Sequence, residues 1–108
     1  MPTNLQRLTP EMDFFYQSKD VTVYLIHLFE PVAHAQHYIG STINLERRLR
    51  QHGYKRKNGG SPLLKEANKR GVFWCVAETW KASRDFERYL KKQKNARRYC
   101  PLCHGVPF

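Results

Sequence analysis

Hydrophobic and polar positions change period several times along the chain, and each change marks an element. Val21 to Phe29 reads VTVYLIHLF, β-branched and aromatic almost throughout, which predicts a strand buried on both faces. EPVAHAQ follows, where Pro31 breaks the run and suggests a hairpin loop. HYIG (His37 to Gly40) returns as a short antiparallel strand that Gly40 is suited to end. A helix is expected next, with Asn44 as N-cap, Glu46 in the first turn, and Leu45 and Leu49 on the buried stripe. GYKRKNGG (Gly53 to Gly60) is a basic loop. SPLLKEANKRG then has a cap serine, a proline at the first helical position and Gly71 just past the end. Val72 to Trp80 is the clearest strand. Ser83 opens a last helix, SRDFERYLKKQKNARR, with Phe86, Tyr89 and Leu90 as its apolar stripe.

The order β-β-α-α-β-α implies a small α/β protein of the α+β kind, a three-stranded antiparallel sheet flanked by helices. One domain is expected over residues 21–99. An N-terminal extension (1–20) precedes it, in which Met12 to Gln17 reads as a clamp on the core or an arm. A C-terminal tail (100–108) follows. No repeat or low-complexity tract interrupts this plan.

Composition changes the picture through charge. The 108 residues carry 19 Lys+Arg against 9 Asp+Glu, a net charge of +10. Residues 1–43 are net −2, so the whole excess lies in residues 44–108, at net +12. A one-sided basic surface fits a phosphate backbone, where each contact releases counterions. Lys55, Arg56 and Lys57 in the basic loop, with Lys91, Lys92 and Lys94 on the last helix, are candidate DNA contacts. No apolar run is long enough for a membrane span, and the start lacks the pattern of a secretory signal, so a cytoplasmic protein without a membrane role is expected.

Candidate chemistry lies on these elements. Tyr24 and Tyr38 stand on the two paired strands. Arg48 and His52, four apart, share one face of the first helix. Glu87 lies among cations on the last helix, either as an ion-pair partner or as an oxygen ligand for a hard divalent cation. Two phenols, a guanidinium, an imidazole and a carboxylate form a set suited to phosphodiester hydrolysis. The arginine would stabilise transition-state charge, and metal, arginine and histidine would lower the phenol's pKa from near 10 or accept its proton. Singly, each residue has an ordinary structural explanation; their order and spacing carry the argument.

The ordered set TVY (Thr22 to Tyr24), YIG (Tyr38 to Gly40), NLERRLRQH and FERYLK resembles the GIY-YIG nuclease superfamily. Thr22 and Val23 stand where that pattern has glycine and isoleucine. The resemblance implies the fold inferred above and a metal-dependent endonuclease acting on DNA, structure-selective or of low sequence specificity, with one Mg2+ or Mn2+ ion. It implies Tyr24 as the residue activating water, Tyr38 orienting water or phosphate, and Gly40 allowing a tight turn beside the site. It further implies Arg48 as the transition-state arginine, His52 as proton acceptor, Glu87 as sole metal ligand and Asn95 in a supporting role. The chain has no room for a separate recognition domain, so a protein partner supplying specificity is a further expectation.

His27, His34 and His37 read as loop and strand residues rather than ligands, and Cys75 as a buried small hydrophobe. The tail CPLCH (Cys100 to His104) matches haem-attachment spacing, which the absence of an export signal argues against. Cys100, Cys103 and His104 would supply three zinc ligands, with Cys75 or another histidine needed as the fourth. A non-catalytic nucleic-acid-binding module of the same fold and a zinc-stapled interaction domain remain as alternative readings.

Overall fold

The computed structural model describes residues 17–53 and 61–104. Met12–Tyr16, Lys55, Arg56 and Lys57 lie outside them. Strands β1 (Gln17–Val32) and β2 (Ala35–Thr42) are followed by helices α1 (Leu45–Gly53) and α2 (Pro62–Arg70). Strand β3 (Trp74–Ala82), helices α3 (Arg84–Gln93) and α4 (Ala96–Tyr99), and a 3-10 turn (Leu102–His104) complete the order. The sheet is antiparallel in the order β2-β1-β3, so β1 is central. The expected α+β architecture is the one observed.

Alternation along β1 feeds two cores. Val23 and Leu25 face α3 and α4, where Ile39, Trp80, Phe86, Leu90, Tyr99 and Cys100 join them. Tyr24, Ile26 and Leu28 face the other way, onto Leu64 and Ala67 of α2. A strand covered on both faces has no polar side to show, which is why VTVYLIHLF carries so few polar residues.

β1 and β2 run longer than their hydrophobic patterns suggest. Pro31 lies inside β1, in the stretch between His27 and Val32 where pairing with β2 shifts register. The hairpin closes on only two residues, Ala33 (φ 50°) and His34 (φ 69°), since Val32 pairs with Ala35. β2 passes through Gly40 and ends at Thr42.

Several helix ends match their sequence signals. Asn44 Oδ1 accepts from Arg47 N at 3.0 Å, and Ser61 Oγ accepts from Leu64 N at 3.1 Å. Gly71 (φ 73°) caps α2 in the left-handed conformation. Three expectations need correction. Ser83 stands at the N-cap of α3, but its buried hydroxyl makes no cap bond there. The single last helix is two, because Lys94 (φ 53°) turns left-handed and ends α3. Cys75 is part-exposed rather than buried.

Candidate active site

Strand pairing builds the centre. Tyr24 pairs with Gly40, and Ile26 with Tyr38, so Tyr24, Tyr38 and Gly40 share one sheet face. A Cβ on Gly40 would lie 2.5 Å from Tyr24 Oη and 2.6 Å from its Cζ. Gly40 is therefore needed for the space it leaves above a rigid, buried ring.

Helix α1 brings a guanidinium and an imidazole to this phenol. Tyr24 Oη lies 2.7 Å from His52 Nε2. The Arg48 guanidinium, whose Nη1 donates to Gln51 Oε1 at 3.1 Å, interacts electrostatically with Tyr24 and Tyr38. The phenol and the imidazole share one hydrogen bond, whose donor is set by the tautomer of His52. His52 Nδ1 is buried without a hydrogen-bond partner. The helix end is pinned by Asn68, whose Nδ2 donates to His52 O at 2.6 Å while its Oδ1 accepts from Trp74 Nε1 at 2.9 Å.

Burial dominates the electrostatics. Tyr24 and His52 are both fully buried. Burial pushes Tyr24 up to about 12, opposed only in part by the Arg48 guanidinium. Burial, with the Arg48 charge adding to it, pushes His52 down to about 4. Desolvation of a phenolate at this depth thus outweighs one guanidinium. Tyr38 is half-buried.

Glu87 approaches from the opposite face, around the edge strand. Ser41 Oγ donates to Glu87 Oε1, and Lys91 Nζ sits 2.7 Å from Oε2. Burial raises the carboxyl, but Lys91 and Ser41, with the Arg84 charge, outweigh it and hold the group below its usual range. Arg84 Nη1 also donates to Ser41 Oγ at 2.9 Å. Lys91 Nζ lies 5.9 Å from the centre of the Tyr38 ring, so one lysine spans the carboxylate and the phenol. Beside it a cavity of about 370 Å³ is lined in part by Lys91, Lys94, Asn95, Arg97 and His37. Lys92 is exposed on α3 and does not line this cavity, and Asn95 stands at the break before α4.

The sheet edge thus gathers a buried phenol beside arginine and histidine, a carboxylate across the edge and a basic cavity alongside. The GIY-YIG catalytic domain model matches residues 21–100, and the chain belongs to that family, whose members are nucleases acting on nucleic acid. No curated protein and no solved structure matches the chain. No helix among the described residues is long and apolar enough to cross a membrane.

Tyr24, Tyr38, Arg48 and His52 thus cluster as their spacing suggested, with Glu87 at the adjoining edge. His104 is apart from the site, with Nε2 3.0 Å from Arg98 O. Sequence reading missed Ser41, Lys91's role as bridge, and Asn68. Only the hydroxyl following YIG hinted at the first.

Proposed function

We propose that the protein is a divalent-metal-dependent endonuclease that hydrolyses phosphodiester bonds in DNA. The observation that carries this is the convergence of Arg48, Tyr38 and His52 around Tyr24, with the Glu87 carboxylate oriented by Ser41 at the same sheet edge. A single carboxylate, supplemented by phosphate oxygens and water, suits Mg2+ or Mn2+, which are bound through few protein oxygens. Glu87 would hold the ion, with Lys91 moving off Oε2. Such an ion supplies charge neutralisation at phosphate and at the leaving oxygen.

The chain's own residues divide the remaining work. Tyr24 keeps its proton at neutral pH and is hydrogen-bonded to His52, so its task is to hold His52 in place beside Arg48. Tyr38, half-buried and beneath Lys91, is the phenol that meets the attacking water, a role the sequence pattern alone gave to Tyr24. Arg48 offers the N–H groups that meet charge developing on phosphate. Lys91, Lys94 and Arg97 place the backbone along the cavity.

A cleavage panel tests this: linear, nicked, flap and four-way DNA, with Mg2+, Mn2+ or chelator. Metal-dependent cutting of at least one substrate is expected. Arg48→Ala and Glu87→Gln should each lower it by about 10²-fold or more with the circular dichroism unchanged, and Tyr38→Phe should cost more than Tyr24→Phe. Salt-sensitive binding without cutting on any substrate would instead select the non-catalytic module. The Glu87–Lys91 ion pair is the observation that favours that second reading.

A further inference from the structure

On the opposite face of β1 from Tyr24, four side chains outside the nuclease site converge. They are His27, His37, Cys100 and Cys103, and their donor atoms all lie within 4.8 Å of one another. His27 and His37 are a direct cross-strand pair, and the cysteines come from the tail. His27 Nδ1 is 3.3 Å from His37 Nε2 and 3.4 Å from Cys100 Sγ. Cys103 Sγ is 3.3 Å from His37 Nε2 and 3.7 Å from His27 Nδ1. For zinc at the centre of a tetrahedron, bond lengths imply edges of about 3.3 Å between nitrogens and about 3.6 Å between nitrogen and sulfur. Four of the six separations lie within about 0.3 Å of those lengths.

Hydrogen bonding among these groups is a poor substitute. If each thiol donates to a ring nitrogen, Nδ1 of His27 and Nε2 of His37 face each other as lone pairs at 3.3 Å. If one imidazole donates to the other, the sulfurs are left as weak acceptors in a largely buried place. His27 and Cys100 are buried, so neither has bulk water to turn to. A central cation gives all four donors one partner. The donors include no oxygen, which disfavours Mg2+ and Ca2+, whereas thiolate and imidazole together favour zinc. Two thiolates and Zn2+ are also neutral in sum, as a half-buried site requires. His37 and Cys103 are part-exposed, and His37 lines the basic cavity, which gives the ion a way in.

We propose that His27, His37, Cys100 and Cys103 form a closed, tetrahedral structural zinc site that fastens the C-terminal tail to the β1–β2 hairpin. It would be separate from the divalent ion at Glu87. It also replaces His104 as a ligand, because that ring is engaged with Arg98 O.

The test is titration of the chelator-treated full chain with Co2+, then with Zn2+. One equivalent of Co2+ should give the intense ligand-field bands of a tetrahedral centre and a thiolate charge-transfer band, both lost on adding one equivalent of Zn2+. Cys103→Ser and His37→Ala, whose side chains are part-exposed, should weaken binding at least tenfold, whereas Cys75→Ser and His104→Ala should leave it unchanged. A folded wild-type chain showing only a weak six-coordinate cobalt spectrum would overturn the proposal without recourse to any variant. Loss of binding in His104→Ala or Cys75→Ser would overturn the ligand set.

Discussion

Gly40 shows how a single hydrogen in place of a methyl shapes the site. Its backbone lies within a strand, and what it provides is room for the Tyr24 ring beside it. Gly40→Ala should lower stability by about 1–3 kcal/mol through overpacking, measured by denaturant unfolding. In a Tyr24→Leu background most of that cost should vanish; an equal cost in both backgrounds would show that the ring is not the obstruction. His52 makes a second residue-level prediction. Its folded pKa, about 4, lies below the ordinary 6.5, so the unfolded chain binds the extra proton first. The stability tied to neutral His52 is complete above pH 6.5 and is lost as pH falls towards 4, amounting to at most about 3 kcal/mol. His52→Gln should flatten the wild-type fall in unfolding free energy over that window; an unchanged slope would assign the fall to other groups.

Elements were legible where local chemistry decided them. Asn44, Ser61 and Gly71 mark helix ends through bonds or backbone angles a few residues away. Legibility failed where distant packing intervened. Pro31 reads as a strand breaker, yet β1 continues past it because the ladder shifts there. Lys94 gives no sign of its left-handed turn, and Ser83 has the residue type of a cap without the bond. The β1–β2 turn uses Ala33 and His34 at positive φ, where Asn and Gly are favoured. Replacing the pair by Asn-Gly should raise stability by roughly 1 kcal/mol, read as a higher denaturation midpoint. A lower midpoint would mean that His34 has contacts worth more than the relieved strain.

At the scale of the whole molecule, residue types that chemistry demands could be read from spacing, which is why Tyr24, Tyr38, Arg48, His52 and Glu87 stood out. Ser41 and Asn68 could not, since a hydroxyl and an amide acquire their tasks only when the chain brings Glu87 and His52 to them. His27 and His37 were hidden for the same reason: their sulfur neighbours lie more than sixty positions away along the chain. Charge was legible in amount and, for Lys91 and Lys94, in place; the cavity they line with Arg97 is formed where α3 breaks before α4. The central strand carries Tyr24 on one face and His27, three residues on, on the other. Sliding β1 by one position against its neighbours would exchange those faces, sending the phenol towards the cysteines and the imidazole towards Arg48. Both centres would fail together, so a mis-registered molecule would be inert rather than a nuclease with damaged control. An error in strand register thus cannot leave one cluster assembled without the other.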